Sequence, residues 1–416
     1  MKNLRMLLAA TLALTGASAI WAQNPPPAGA PTDPPPIIVS EPTFVPRVAM
    51  AATETVSPNV PKMWFDLGWA FYWISPSPNS QPLLTTSDPL DAGILGNPTT
   101  TTLIGQEKVH YGTINGGYFN SGSWFDRDRT IGLEGSNIWS EIRVHQDFFG
   151  SDSTLPLFRP FVDAATLTQT SATVAAPNVA FGSFLSQSRL QFATGDTNLM
   201  FNLYRADDRN LIGLLGYRYF YMSERLIMTQ ESTFLDDNVG FFLGQPLLAG
   251  DSVRIIDRIE TVNRGLTGQI GFRYEQTIGR LTLGFQSKIG FGWQQERIYF
   301  DGRTTLLPDG PTVAGGLLVQ QSQPYRNQNE EFLVNPEVGI RASFQVWRRV
   351  RLSFSYDFMY FSRVARPGKY IDPVIEQTQV PTSPTYTGVV GTRPKFLDVN
   401  SDMILHGVTA GLMWAY

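Results

Sequence analysis

From Lys62 onward the chain is dominated by long runs in which apolar and polar residues alternate. Over Leu281–Gln294, Leu281, Leu283, Phe285, Ile289, Phe291 and Trp293 share one face, while Thr282, Gln286, Lys288 and Gln294 share the other with three glycines. A period of two sustained this long predicts a strand with one greasy and one wet face. Arg351–Ser362 repeats it, with Leu352, Phe354, Tyr356, Phe358 and Tyr360 opposite Arg351, Ser353, Ser355 and Asp357. In Phe332–Val346, Val334, Val338, Ile340, Phe344 and Val346 oppose Asn335, Glu337, Arg341, Ser343 and Gln345. Pro336 on that run predicts a rim or bulge at one end, because proline cannot donate to a central ladder. The last segment, Ser401–Tyr416, sets Val408, Ala410, Leu412, Trp414 and Tyr416 on one face up to the final carboxylate.

Further strands are predicted near 63–74, 109–125, 129–144, 190–204, 211–227 and 253–276, which brings the count to about ten, within a range of about 8–12. Connections alternate in length. Short turns at 126–128, 206–210, 277–280 and 348–350 lie between long segments such as 75–108 and 366–400. The pattern predicts an all-β fold: a single antiparallel transmembrane barrel with short periplasmic turns and long outer loops, both chain ends facing the periplasm. A secreted β-sandwich or lipocalin-like barrel also alternates, with its apolar face turned inward. Glycines and small polar residues fill a core poorly, whereas aromatics gathered near strand ends suit membrane girdles, so the membrane barrel is the expectation.

Composition agrees with apolar residues spread in alternating pieces. Charged residues make up 16 % of the chain, against about 25 % in soluble domains, yet no apolar helix of spanning length follows the first 22 residues. Residues 1–22 read as a secretory signal peptide: Lys2 and Arg5 precede an apolar run from Met6 to Ile20, with cleavage expected after Ala19 or Ala22. Residues 23–61 hold the proline runs 25–27 and 34–36 and read as a disordered, spacer-like linker. The barrel is expected over 62–416. Formal charge is −4 and becomes −6 when Lys2 and Arg5 leave with the signal, which gives no support to nucleic-acid binding. There is no cysteine, so disulfides, thiolate ligands and a lipoprotein acylation site are excluded.

Two stretches carry a family resemblance. QPLLTTSDPLDAGILGNPTTTTLIG at 81–105 and GTINGGYFNSGSWFDRDRTIGLEGSNIWSEI at 112–142 resemble the planctomycete-type outer-membrane proteins of the beta barrel porin-7 family. WFDLGWAFYWI at 64–74 resembles that family's aromatic first strand, GVTAGLMWAY at 407–416 its closing strand, and FRPF at 158–161 is a weaker echo. Tyr118 stands after the paired glycines where the family pattern leads one to expect a basic residue, and Asp126–Arg129 occupies a turn that often carries Cys. The resemblance implies an outer-membrane location and a porin-like barrel.

Candidate lumen-facing residues are Arg218, Arg273, Lys288, Glu337, Arg341, Arg351 and Asp357. Their signs are mixed, so they either pair across the lumen and plug it or form a selective ring. About eight strands leave an interior just filled by side chains, while open channels belong to barrels of about sixteen or more. Leu412, Trp414 and Tyr416 are the candidate C-terminal signal for the barrel-assembly machinery, and the closing strand is expected to pair with 63–74. Outer-membrane lipid is the other expected partner; no cofactor and no metal is expected. His110, His145 and His406 have no ligand spacing, and Ser, Asp and Glu align into no triad, so no enzyme is expected. Asp126, Asp128, Asp236 and Asp237 read as turn residues rather than cation ligands. Two functions stand: a narrow passive channel or structural barrel of the envelope, and a surface adhesion protein displaying the loops 75–108, 301–329 and 366–400.

Overall fold

Ten strands form one antiparallel ring: β1 (Met63–Ile74), β2 (Thr113–Trp124), β3 (Ile131–Ser140), β4 (Ala180–Arg205), β5 (Arg209–Phe234), β6 (Ser252–Ile278), β7 (Leu281–Leu307), β8 (Arg326–Gln345), β9 (Val350–Val364) and β10 (Ser401–Ala415). The computed structural model describes residues 60–106 and 112–416. The expected signal peptide, nearly all of the linker and the start of the strand expected at Val109 lie outside the described residues.

Each strand pairs with its chain neighbour, and β10 closes the ring on β1 with Phe65 opposite Trp414 and Phe71 opposite Val408. This is the pairing expected of the two terminal segments. The short turns Asp126–Asp128 and Ala206–Asn210 fall at one end, with the long segments at the other. In the turn after β2, the Asp126 carboxylate accepts hydrogen bonds from the backbone N–H groups of Thr130 (2.8 Å) and Ile131 (3.1 Å) and from the Thr130 hydroxyl (2.7 Å), the turn chemistry expected of it.

Strand lengths differ from the reading. β4, β5, β6 and β7 run to 26, 26, 27 and 27 residues, whereas crossing a bilayer takes about 9–11. The extra length is a wall standing above the membrane. There the outward positions turn polar, as in Arg254, Arg258, Gln295 and Arg297, so a search for apolar faces stops too early. The segment Arg143–Ser151 continues the line of β3 along the upper part of β4, with Arg143 opposite Leu190.

Large apolar side chains point out of the ring: Trp69 is 78 % exposed, Trp293 67 %, Leu266 60 % and Ile340 58 %. In lipid this surface is solvated, which is why an apolar face outside and a polar face inside is stable here. The inside is layered. Nearest the short turns, Trp64, Trp124, Met200, Ile212, Leu214 and Met413 pack together. Polar and charged residues lie beyond them, followed by a layer that includes Phe192, Phe220 and Phe361.

The long segments are folded. Leu84–Thr86, Thr101–Ile104, Leu157–Asp163, Gln169–Ala175 and Val374–Ile375 make a five-stranded sheet. Its Leu84, Ile104, Phe161 and Val174 pack with Phe184, Leu226, Ile255, Ile259 and Phe300 of the wall and with Leu317, Tyr370 and Ile371. The segment 152–179 thus joins the segments 75–106 and 365–400 in one apolar core; its strands are too short for alternation to mark it in the sequence.

Closure depends on close backbone approach at Gly411, where a Cβ would lie 2.5 Å from the Leu67 carbonyl oxygen and against the Tyr118 hydroxyl. Gly411→Val is expected to cost about 1–3 kcal/mol through overpacking. A lower urea midpoint for the heat-modifiable folded band in detergent checks this, with Thr409→Val as the size control.

Candidate functional site

Alternation on four strands brings Asp196 (β4), Arg218 (β5), Lys288 (β7) and Glu337 (β8) to one level of the lumen, each no more than 5 % exposed. Arg218 Nη2 lies 2.7 Å from Asp196 Oδ2 and also contacts Glu337. Lys288 Nζ lies 2.6 Å from Asp196 and 2.9 Å from Glu337. Two cations and two anions therefore form a closed square with no net charge. Further hydrogen bonds support it: Arg218 donates to Asn335 Oδ1 (3.1 Å), Gln286 donates to Glu337 (2.9 Å) and Ser136 donates to Asp196 (2.7 Å). Buried charges persist only when paired and hydrogen-bonded in this way.

Smaller groups surround the square. Arg273 reaches across to Glu134 at 2.5 Å. Asp66 accepts from the hydroxyls of Tyr118 and Ser353, each at 2.8 Å. Asp357 accepts from Ser355 (2.7 Å) and Tyr72 (3.3 Å). The space left among these groups is a cavity of about 40 Å³, room for a few waters at most. Above it, Phe220 and Phe361 stack with centroids 4.5 Å apart, and Phe192 packs on both.

The cap has its own buried pairs. Arg159, from FRPF, lies 2.7 Å from Asp257, whose other oxygen accepts from the N–H groups of Leu318 and Val319 at 3.0 and 2.8 Å. Arg366 lies 2.6 Å from Glu224. These two pairs pin the segments 152–179, 308–325 and 365–400 to β5 and β6. Burial, and after it the nearby carboxylates of Glu296, Asp398 and Glu331, push the Tyr370 hydroxyl well above its usual range, so it stays neutral inside the cap.

Of the candidates from sequence, Arg218, Lys288 and Glu337 meet in the square, Arg273 stands on Glu134 and Asp357 belongs to the Tyr72 group. Arg341 lines the 40 Å³ cavity, and Arg341 and Arg351 line a cavity of about 60 Å³ nearer the short turns. Leu412, Trp414 and Tyr416 face outward at the end of the closing strand. Sequence reasoning missed Asp196, although Phe192, Thr194, Asp196, Asn198 and Met200 alternate inward on β4. Glu134 was equally visible on the inward face of β3. Arg159 and Arg366 had no signal, since both lie in segments without sustained alternation.

The other polar candidates do separate things. His406 stacks outside the ring on Trp73 and shares a 3.0 Å hydrogen bond with Tyr356; His145 lies 3.4 Å from Asp147; His110 is outside the described residues. Asp237 accepts from the Ala249 N–H at 2.8 Å, closing a loop. Among the described residues no group of three or more His, Asp or Glu side chains is placed to hold a metal ion.

The model of the beta barrel porin-7 family matches residues 65–416. The chain belongs to that family. No curated protein matches it. Among solved structures, the outer membrane protease OmpT of Escherichia coli is 10 % identical with TM-score 0.35, covering 88 % of this chain and 99 % of its own. A FadL homologue of Pseudomonas aeruginosa is 8 % identical with TM-score 0.22, covering 85 % and 90 %. The porin-7 assignment and the ring of strands place the chain among outer-membrane β-barrel proteins.

Arg218→Met leaves Asp196 and Glu337 sharing one cation, and is expected to cost about 3–5 kcal/mol. The double variant Arg218→Met/Glu337→Met restores neutrality and should recover most of that loss. Urea titrations of the two in detergent micelles check the ordering.

Proposed function

We propose that this porin-7 barrel is a closed structural barrel of the cell envelope, whose outer end is a folded platform rather than the vestibule of a channel. The observation that carries this reading is the square of Asp196, Arg218, Lys288 and Glu337, held between two apolar layers. A solute moving along the axis has to break paired buried charges and part the stack of Phe192, Phe220 and Phe361. It then has to cross the apolar core of the cap. Ten strands are close to the number at which side chains alone fill a barrel, which agrees with this obstruction.

In the same reading the chain is exported with cleavage of its signal peptide. Leu412, Trp414 and Tyr416 present the end of β10 to the barrel-assembly machinery, and lipid covers the aromatic wall. No reaction and no cofactor is assigned. A surface-contact role is favoured by one observation: the cap and outer loops expose Leu90 (98 %), Leu167 (74 %), Tyr325 (73 %) and Val389 (68 %) to the surroundings. Exposed apolar groups of this kind mark contact surfaces when they cluster.

Planar-bilayer recording tests the reading. The wild-type protein should give no conductance steps, and replacing 76–111 and 366–399 by short turns should leave it silent because the square remains. Adding Arg218→Ser, Glu337→Ser and Phe361→Ser to that deletion should produce steps. Regular steps from the wild-type protein would overturn the proposal.

A further inference from the structure

Toward the outer end of β4 to β7 the membrane wall gives way to arginines. On β6, Arg264 lies two residues above exposed Leu266, and on β7 Arg297 lies four above exposed Trp293. On β5, Arg225 lies four above Tyr221, and Arg189 of β4 stands directly opposite Arg225 in register. Their inward neighbours Ser188, Leu190, Glu224, Leu226, Asn263 and Glu296 are buried, so the four guanidinium groups point out of the ring. Two to four residues of strand tilted by about 40° rise about 5–10 Å. That is the level of the headgroups bordering the hydrocarbon.

These arginines are short of counter-charges. Glu260 is shared between Arg225 (2.8 Å) and Arg258 (2.6 Å). Among the described residues no carboxylate pairs with Arg189, Arg264 or Arg297. Arg264 lies over the Tyr221 ring at 5.9 Å, and Arg297 Nε is buried without a hydrogen-bond partner. Two other carboxylates face outward on β7 and β8: Asp301, held by Arg303 at 3.0 Å, and Glu330, opposite Gln295 in register. An excess of positive charge remains. Like charges directly opposite on neighbouring strands repel, so an anion set between Arg189 and Arg225 relieves that pair.

The surface beside the pair is shaped for such an anion. Ile142, Val144, Gln187, Arg189, Arg225 and Ile227 line a hollow of about 170 Å³ on the outside of the ring, where the segment 143–151 runs along β4. One side offers two guanidinium groups, which take phosphate oxygens through paired N–H groups. The other offers Ile142 and Val144, 46 % and 45 % exposed. A free anion uses the first side alone, and an uncharged lipid the second alone. We propose that the hollow seats the phosphate of an anionic lipid of the outer leaflet, with the lipid's glycerol and upper acyl carbons against Ile142, Val144 and Ile227. Arg264 and Arg297 continue the same phosphate-binding line along β6 and β7. Charge and depth together select this occupant, because the headgroup layer is where phosphate and hydrocarbon meet and where basic clusters recognise anionic lipid.

Native mass spectrometry of the folded protein in a neutral detergent tests this with three probes: phosphatidic acid, the diacylglycerol with the same chains, and inorganic phosphate. The wild type should retain phosphatidic acid and bind the other two at least tenfold more weakly. Arg189→Gln/Arg225→Gln should weaken phosphatidic acid binding at least tenfold. Arg254→Gln/Arg303→Gln removes the same charge from arginines already paired with Glu231 and Asp301, and should leave binding within twofold. Equal weakening by the two double variants overturns the inference, because the attraction is then general. Diacylglycerol held as tightly as phosphatidic acid overturns it in favour of an apolar patch, and phosphate held as tightly overturns it in favour of a soluble-anion site. The heat-modifiable band reports folding of each variant; if Arg189→Gln/Arg225→Gln fails to fold, the three probes on the wild type decide alone.

Discussion

Hydrocarbon offers no hydrogen-bond partner, so every backbone N–H and C=O that crosses a bilayer must be paired within the protein. For a sheet this forces closure, since an open edge leaves a row of unpaired groups. The pairing of β10 with β1 is where this protein meets the requirement, and glycines at Gly68, Gly407 and Gly411 let the backbones meet there. Closure by ten strands in turn fixes the width of the interior. That width lets charged side chains from opposite walls touch, so polar residues that the alternation turns inward are brought to hydrogen-bonding distance.

The square of Asp196, Arg218, Lys288 and Glu337 follows from that geometry. Four long or medium side chains from β4, β5, β7 and β8 meet only because the ring is narrow; a ring of about sixteen strands leaves them lining water. Neutrality and the added hydrogen bonds from Asn335, Gln286 and Ser136 make the group tolerable inside the barrel, between apolar layers on both sides. The extension of β4 to β7 above the membrane serves the cap in the same way. It supplies Leu226, Ile255, Ile259 and Phe300 as a wall against which loop residues bury their apolar groups, and Asp257 and Glu224 as anchors for Arg159 and Arg366.

Much of this was legible before any coordinates. Period-two alternation on β7, β8 and β9 reported the fold and the direction of Lys288, Glu337 and Asp357, because lipid outside and polar groups inside is a constraint on every second residue. It did not report strand length, since outward residues above the membrane become polar and the contrast between faces fades. Pairing was only half visible: Arg218 and Glu337 stood out as inward charges, while Asp196, inward on the same logic, went unremarked among small polar neighbours. The cap was hidden for a different reason. Its strands are 2 to 7 residues long, too short for periodicity, and Arg159 and Arg366 find their partners across about 98 and 142 residues of chain.

The central claim is that the lumen is filled and sealed from both sides. Thr409 lines the small cavity beside the square and is 6 % exposed, and the chain has no other cysteine to confuse a label. The direct measurement is the reaction rate of Thr409→Cys with a charged, membrane-impermeant thiosulfonate, in reconstituted folded protein and in urea. The account predicts no labelling of the folded protein and complete labelling once it is unfolded. Labelling of the folded protein at the rate of a cysteine placed at exposed Leu90 would contradict it.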